Sequence, residues 1–326
     1  MFKTATFYRL SPEFKAPDLA ALNEAMALLR FSMALPSQES SHGWVPPRQT
    51  SGLPAEVDET LPLAEQVNGQ IIVRMHLQRK AVPASEVKTM LAARCADLER
   101  QNGRKPGKKQ QREMKEEIHR ELLPRAFSKH SGCTVWIDPE AKLLVLSSSS
   151  SAMVDVVITA LVACMGGAGS PLTASPVSTN MSATAAMSHW LATKEAPRGF
   201  TVDRECELRL PDGEKSCVKY SRHSLELDEI GEHIRQGKIP VCLALTWGDK
   251  MSFVLTERGL VKKIEFLDIG AADGEEDAFD ADVLIETSIL AGMLPDLLEA
   301  LGGEFQPDAA QPGAGGETAG EPNSAG

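Results

Sequence analysis

The chain has 326 residues, of which 42% are hydrophobic and 24% charged, enough apolar material for one sizeable core or several smaller ones. Its formal net charge of -11 argues at first sight against a nucleic-acid partner. The charge is unevenly distributed, however, because no Lys or Arg follows Lys263 and 15 of the 45 acids lie beyond it. Residues 1–263 therefore hold 34 bases against 30 acids, and this larger part of the chain is mildly basic.

Cysteine usage and hydropathy indicate the compartment. The six cysteines form no Cys-x-x-Cys pair, and a chain of this size does not need disulfide bonds, which favours a reducing compartment. The first residues carry no apolar signal segment. The uncharged stretch 156–193 is continuously apolar only over its first ten residues, whereas a helix needs about 20 to cross a bilayer. We therefore expect a cytoplasmic protein without a membrane segment.

The N-terminal part of the chain predicts two strands and one helix. Alternating apolar residues predict a strand over Phe2–Arg9. Apolar residues at helical spacing predict a helix over Asp18–Arg30. Residues 44–47 must be extended, because proline disfavours a helical conformation in the preceding residue. The turn signal Asn68-Gly69 precedes a second predicted strand, Gln70–Leu77.

Two charged helices are predicted next. Pro83 opens the first of them, which carries a single apolar stripe. Gly103, Pro106 and Gly107 end this helix, because glycine and proline both disfavour a helix interior. The second helix is predicted over Lys108–Leu123, so that the two helices form a hairpin.

The rest of the chain alternates irregularly between strands and helices. In chain order, strands are predicted over Thr134–Asp138, Leu143–Ser147, Phe200–Leu210, Ile239–Trp247, Met251–Thr256 and Leu260–Leu267. Helices are predicted before about Cys164 and over Ser182–Lys194, Leu225–Gln236 and Asp282–Leu301. This irregular order, without a sequence repeat, indicates an α+β fold with mixed or antiparallel sheets and helices rather than a doubly wound sheet.

The same pattern divides the chain into several lobes. Residues 1–75 and 132–175 are expected to form a central α+β region, and residues 76–131 a basic helical hairpin or tip region. Residues 176–305 are expected to form a second α+β region. The tail, residues 306–326, is rich in Gly, Ala, Pro and Glu, a composition typical of disorder.

Basic residues are concentrated in the predicted hairpin. Residues 100–129 carry ten bases and four acids, and residues 104–112 carry five bases and no acid. Such a cluster suits a duplex backbone, because each phosphate contact releases condensed counterions without reading a base. The alternative is a solvated helical tip whose charges only keep it soluble. The candidates for phosphate contact are Lys80, Lys88, Arg104, Lys105, Lys108, Lys109, Arg112 and Lys115.

An apolar cluster follows the charged hairpin at a turn forced by proline. Leu122, Leu123 and Phe127 surround Pro124. An aromatic residue in this position either packs into its own core or anchors a partner subunit. The residues alone favour the core.

Motifs of catalysis and of metal binding do not assemble in the sequence. A P-loop, a Gly-x-Ser-x-Gly elbow and a His-Glu-x-x-His motif are all missing. The acids between Asp273 and Asp282 could hold a divalent cation, but their spacing does not match an EF-hand loop, and a solvated acidic loop is the favoured interpretation. We expect no catalytic residue, no cofactor and no metal ion.

Several short stretches, in this order along the chain, resemble the RdgC family of bacterial recombination-associated proteins. They are Phe7-Tyr8-Arg9-Leu10-Ser11, Gly43-Trp44-Val45-Pro46-Pro47, Asn68-Gly69-Gln70-Ile71, residues 122–128, Trp136-Ile137-Asp138, His233-Ile234 with Gly237-Lys238, Phe279-Asp280-Ala281-Asp282 and Leu301-Gly302-Gly303-Glu304. The ordered set covers the chain up to about residue 305, and the tail extends beyond the family's usual end.

The resemblance implies a fold, an assembly and a function. The family's subunits are horseshoe-shaped and multi-lobed, and two of them close at two interfaces into a ring-shaped homodimer. The positively charged hole takes double-stranded DNA with little sequence preference, and the ring modulates recombination by limiting the access of RecA. No enzymatic activity is implied, and the implied location is the cytoplasm, in association with the nucleoid.

The resemblance also assigns roles to single positions. Phe127, with Leu122 and Leu123, corresponds to a subunit contact. Arg222 and His223 fall at a finger-like tip near DNA, although this chain has Ser221-Arg222-His223-Ser224 where the family is rich in lysine. Two other functions stay open: a protein–protein scaffold that acts on recombination proteins without DNA, and a metal-dependent nuclease that uses the acids at 273–282.

Overall fold

The computed structural model describes residues 1–48, 60–211, 216–223, 225, 228–267 and 275–305, with side chains from residue 278 in the last range. The strands are β1 (Thr4–Leu10), β2 (Ser40–Val45), β3 (Ala64–Val67), β4 (Gln70–Ala81), β5 (Phe127–Asp138), β6 (Leu143–Leu146), β7 (Ala174–Pro176), β8 (Phe200–Arg209), β9 (Cys217–Ser221), β10 (Ile239–Trp247), β11 (Met251–Thr256) and β12 (Val261–Phe266). The helices are α1 (Leu19–Ala27), α2 (Ala84–Asn102), α3 (Lys108–Leu122), α4 (Ser151–Gly167), α5 (Ala183–Thr193), α6 (Asp228–Arg235) and α7 (Glu275–Ala300).

One large sheet contains all twelve strands. The order is β2-β4-β5-β6-β1-β12-β11-β10-β8-β9, with β3 on β4 and β7 on β1, and every strand pair is antiparallel. Strand β1 joins the two halves of the sheet, because Thr4 and Ala5 pair with β12 while Thr6–Arg9 pair with β6. The predicted α+β class is confirmed.

Helices cover the sheet around two hydrophobic clusters. In the first, Phe2 and Trp136 meet edge to face at 6.4 Å, and α5 and the C-terminal part of α7 add residues such as Met187 and Leu290. In the second, α1 and α4 pack over Trp44, Met75 and their neighbours. The strands of the N-terminal half therefore contribute to both clusters, because successive side chains of a strand point to opposite faces.

Polar contacts fix α7 against the N-terminal strands. The amino group of Met1 and the backbone N–H of Phe2 both bind the carboxylate of Glu286, at 2.5 and 2.7 Å, in a largely buried site. Arg48, which follows β2, donates to Glu65 of β3 and to Asp280 of α7. Loss of Glu286 would leave a largely buried ammonium without its partner, so this contact specifies how α7 docks, whereas the more exposed Arg48–Asp280 pair adds less.

The predicted elements are mostly confirmed, with corrections where the chain is polar. Asp18 and Ser182 cap α1 and α5 through their side chains. The prediction that the fifth strand begins at Thr134 is wrong, because β5 begins at Phe127. Its added residues, 127–132, are exposed and, apart from Phe127 and Gly132, polar, so no apolar alternation marks them. The strands β3 and β9 were not predicted, and α6 begins at Asp228 rather than at Leu225.

Gly43 lies where β2 touches the segment after α1. A Cβ atom at this position would come within 2.5 Å of the Cα and N atoms of Phe31 and 2.7 Å of the carbonyl oxygen of Leu29. We expect Gly43→Ala to lower the free energy of unfolding by about 3 kcal/mol, because backbone atoms cannot move aside as a side-chain end can. Denaturant unfolding measures the change.

The matched control is Gly166→Ala in α4, where an added Cβ meets nothing within 4 Å. This variant should be neutral or more stable by up to about 1 kcal/mol, because alanine has the higher helix propensity. Equal stabilities of the two variants would contradict the close approach at Gly43.

Candidate nucleic-acid interface

The predicted basic region stands at the outer end of the long β4–β5 strand pair, called the β4–β5 ribbon below. Strands β4 and β5 pair from Ile71–Ile137 in the core to Ala81–Phe127 at the outer end. Residues 133–138 of β5 are buried, whereas residues 127–132 are exposed, so the outer half of the ribbon projects from the body of the sheet. Helices α2 and α3 are inserted between the two strands at this outer end.

Helices α2 and α3 form the predicted hairpin. Gly103 ends α2 in the left-handed conformation, with φ of 68°, and its N–H donates to the carbonyl of Glu99. The buried side chains of the two helices are Val87, Met114 and Ile118. Because this apolar stripe is narrow, most of the hairpin surface faces solvent.

Among the described residues, most basic side chains at the tip of the hairpin form no ion pair, whereas Arg94, nearer the ribbon, is paired with two carboxylates. Within the described residues, no ion pair involves Arg104, Lys105, Lys108, Lys109 or Lys115, and all five are exposed. Arg112 pairs with Glu116 at 3.1 Å, but both side chains are exposed, and such pairs contribute only about 0–1 kcal/mol. Nearer the ribbon, Arg94 binds Glu117 and Glu121. The free positive charge is thus at the tip.

The other two lysine candidates differ in their surroundings. Lys88 is exposed on α2. The ammonium of Lys80 instead donates to the carbonyls of Leu35 and Pro36, at 2.6 and 2.9 Å. The structure therefore ties Lys80 to the loop after α1, and Lys80 would have to exchange these bonds for a phosphate contact.

Arg222 and His223 lie apart from the hairpin. They follow β9, which is the last strand at one end of the sheet, whereas β4 lies next to the opposite end. Both residues are exposed, and Arg222 has a positive φ of 58°, an uncommon conformation for a residue other than glycine. A single chain therefore does not bring the two predicted groups of DNA contacts together.

The apolar cluster at the hairpin exit is divided by a short 3-10 turn, Leu123–Arg125. Leu123 is 3% exposed, so the fold of the subunit itself occupies this side chain. Leu122 is half-buried, and Phe127 is 86% exposed. The interpretation of Phe127 as a core residue is therefore wrong, and this aromatic side chain stays available to a second molecule.

Arg74, His76 and His130 form a cluster on the same ribbon that was not predicted. Nε2 of His76 and Nδ1 of His130 are 2.9 Å apart, and the guanidinium of Arg74 lies next to Gly132, which pairs with His76. Burial lowers the pKa of His76 to about 4, with smaller contributions from the positive charges at His130 and Arg74. Only the register of β4 and β5 joins residues that lie 54 positions apart, so the sequence carried no signal for the pair.

The described part of the chain brings no metal-binding cluster together and keeps two buried cysteines as thiols. No group of three or more His, Cys, Asp or Glu residues placed to hold a metal ion occurs there. Of the acids between Asp273 and Asp282, residues 273–277 lie outside the described side chains, and Asp280 is paired with Arg48. Burial raises the pKa of Cys133 to about 11 and that of Cys206 to about 12, so both stay thiols at neutral pH.

Membrane insertion finds no support in the helices of the described ranges. None of them combines the length and the apolar character that crossing a bilayer needs.

Known proteins resemble this chain over almost its whole length. A family profile described as "Putative exonuclease, RdgC" matches residues 1–304. Three relatives are named "Recombination-associated protein RdgC". That of Cupriavidus pinatubonensis is 37% identical over 309 residues, which cover 93% of this chain and 98% of the relative. That of Bordetella pertussis is 36% identical with the same coverage, and that of Cupriavidus necator is 38% identical over 89% of this chain and 96% of the relative.

The description of the family profile and the name of the relatives differ in one respect. The relatives' name refers to recombination and is not an enzyme name, whereas the profile's description names an exonuclease. The match covers the ribbon, the hairpin, Phe127 and α7 alike. The chain belongs to the RdgC family of recombination-associated proteins.

Proposed function

We propose that this protein binds double-stranded DNA without sequence preference, as a ring-shaped homodimer that encircles the duplex and limits the access of RecA to it. The observation that carries the proposal is the tip of the α2–α3 hairpin, where exposed bases lie together without acidic partners among the described residues. Flexible Lys and Arg side chains of this kind follow a phosphate track and contribute no base readout.

The proposed dimer rests on Phe127. A side chain of this size, left 86% exposed at the outer end of the ribbon, is typical of the anchor residues of an interface. Its neighbour Leu122 is half-buried and adds apolar surface. The strand β9 and the hairpin lie towards opposite ends of the sheet, and the proposed ring, closed at two interfaces, brings bases from both ends around one channel.

Nuclease activity is the second candidate, because the family profile carries the word exonuclease in its description. A metal-dependent nuclease needs carboxylates that converge on a cation. The described part of the chain has no such group, and Asp280 is already bound to Arg48. The relatives' name refers to recombination and is not an enzyme name, and for this reason the proposed function is DNA binding without cleavage, together with a cytoplasmic, nucleoid-associated location.

A gel-shift experiment separates these functions. The protein is mixed with two duplexes of unrelated sequence in chelator, and magnesium is then added in excess. The proposal expects equal retardation of both duplexes and intact DNA after magnesium. Shortened DNA after magnesium supports the nuclease. A lack of retardation contradicts DNA binding and supports a protein–protein scaffold instead.

A further inference from the structure

Arg74, His76 and His130 lie together on one face of the β4–β5 ribbon. The imidazole rings of the two histidines are 5.2 Å apart between centroids, and their facing nitrogens are 2.9 Å apart. A Cβ atom on Gly132 would be 3.3 Å from both Nε and Nη2 of Arg74. Gly132 pairs with His76 and lies two residues from His130, so the missing side chain leaves room for the guanidinium next to the strand partner of His76.

Arg74 is a half-buried cation without a counterion in the described part of the chain. It forms no ion pair there, unlike Arg9, Arg48 and Arg94, and burial lowers its pKa. Removing a charge partly from water is costly unless an opposite charge or hydrogen bonds compensate. Arginine remains protonated under these conditions and presents a planar set of donors that matches a phosphate.

The histidine pair can also change its charge and its number of hydrogen-bond donors by taking up one proton. When both rings are neutral, one facing nitrogen donates to the other, so one outward nitrogen is a donor and the other an acceptor. One added proton turns the outward acceptor into a donor and keeps the hydrogen bond between the rings. The pair then has a charge of +1 and two outward N–H donors, and a second proton would break the inner bond.

We propose that Arg74, His76 and His130 form a phosphate-binding site whose histidine pair takes up one proton from solvent when the phosphate binds. The inference rests on the proposed function for its ligand, which is a phosphodiester of the duplex backbone. Inorganic phosphate has the same chemistry and is the probe that separates this site from DNA binding as a whole.

The groups around the histidine pair decide whether phosphate affinity rises or falls with pH. On the same face, β4 contributes Arg74 and Lys80, Phe31 touches the ring of His76 edge to face at 4.6 Å, and β2 contributes Gly43. Glu39, the acid nearest along the loop, lies 3.5 Å from His119 of α3.

Burial, with smaller contributions from His130 and Arg74, lowers the pKa of His76 to about 4, so His76 is neutral at pH 7 in the empty site. A bound phosphate raises the pKa of His76, because an opposite charge favours the protonated ring. Phosphate affinity therefore rises as the pH falls towards the pKa that His76 has in the empty site.

The first arm of the test measures the dissociation constant of a duplex between about pH 5 and pH 8, where histidines titrate. Wild type is compared with His76→Asn and His130→Asn. Uptake of one proton limits the wild-type rise in affinity to about tenfold per pH unit. Both variants should flatten this dependence relative to His42→Asn, an exposed histidine of β2 whose partner Leu77 points to the opposite face. Wild-type pH dependence in both variants overturns the proposal.

The second arm titrates inorganic phosphate and follows the imidazole resonances of the two histidines by NMR. The proposal expects shifts that Arg74→Gln abolishes, with a loss of about tenfold or more in phosphate affinity for the lost charged hydrogen bonds. Shifts without any duplex binding leave the phosphate site standing and refute the proposed function. Duplex binding without these shifts, and with equal pH dependence in all variants, refutes the site alone. Melting by circular dichroism confirms that each variant is folded.

Discussion

Replacing Lys108, Lys109 and Arg112 together by Ala is expected to weaken duplex binding by about 10²–10³-fold at about 0.1 M salt for each hairpin that contacts the DNA. The three bases are exposed on the first turns of α3, and only Arg112 has a carboxylate partner among the described residues. The slope of log affinity against log salt is negative, and each lost phosphate contact makes it shallower by about 0.9, or by roughly 2.7 for three contacts. Fluorescence anisotropy over a salt series measures both quantities.

A triple variant of the same charge change is the matched control. Lys15, Arg198 and Arg258 are exposed bases outside the ribbon and the hairpin. Their replacement by Ala should change the salt slope much less. Both triple variants make the protein more negative and so weaken its general attraction for DNA, and this is the only effect that they share. Equal slopes in the two triple variants would remove the hairpin from the DNA interface.

The second large effect is expected from Phe127→Ala, which should weaken the dimer by about 2 kcal/mol or more, about 30-fold in the dissociation constant. The loss arises because the aromatic ring is proposed to fill a pocket of the partner. The protomer itself should keep its stability, since the ring is 86% exposed within one chain. Sedimentation over a dilution series measures the dissociation constant.

Phe305→Ala is the control for this experiment. Phe305 is also an exposed aromatic residue, at 51%, but it follows α7 far from the ribbon in the chain. Its variant should dissociate like wild type. A Phe127→Ala dimer that resists dilution as well as the control does would refute the anchor role of Phe127.

The net charge of -11 proves a poor guide to the surface of this protein. Several of the acids beyond Lys263 are engaged inside the fold: Glu286 binds the N-terminal amino group, Asp296 accepts the indole N–H of Trp247 at 2.7 Å, and Glu304 binds Arg9. These carboxylates position α7 and the segment that follows it. The exposed bases at the tip of the hairpin lack such partners among the described residues, so the local field there is positive despite the overall sign.

Sequence patterns predict this fold best where strands and helices lie over a core. The apolar runs of β10 and β11 and the helical spacing of apolar residues in α1 gave the correct elements, because burial selects apolar residues at the positions that face the core. The outer halves of β4 and β5 follow no such pattern. Residues 127–132 of β5 are exposed, and β4 carries mainly polar side chains beyond Leu77, so the pairing of the backbone, and not an apolar face, defines these segments as strands.

Only the part of the candidate site that is local in sequence, the basic hairpin, was predicted. The basic hairpin is local in sequence, so composition finds it. The difference between Leu123, which is buried, and Phe127, which is exposed, depends on the direction of the 3-10 turn between them. The cluster of Arg74, His76 and His130 depends on strand register, which one sequence does not encode in any local pattern.

Encirclement of the duplex is tested most directly by the rate at which the protein leaves DNA whose ends are closed. Two versions of a linear duplex several times longer than the protein's footprint are prepared, one with free ends and one with a bulky protein bound at both ends. Dissociation from each is followed after competitor DNA is added. A closed ring leaves through the ends, so blocked ends should slow dissociation strongly, and Phe127→Ala should abolish the difference. Equal dissociation rates of wild type from the two duplexes would contradict a ring around DNA.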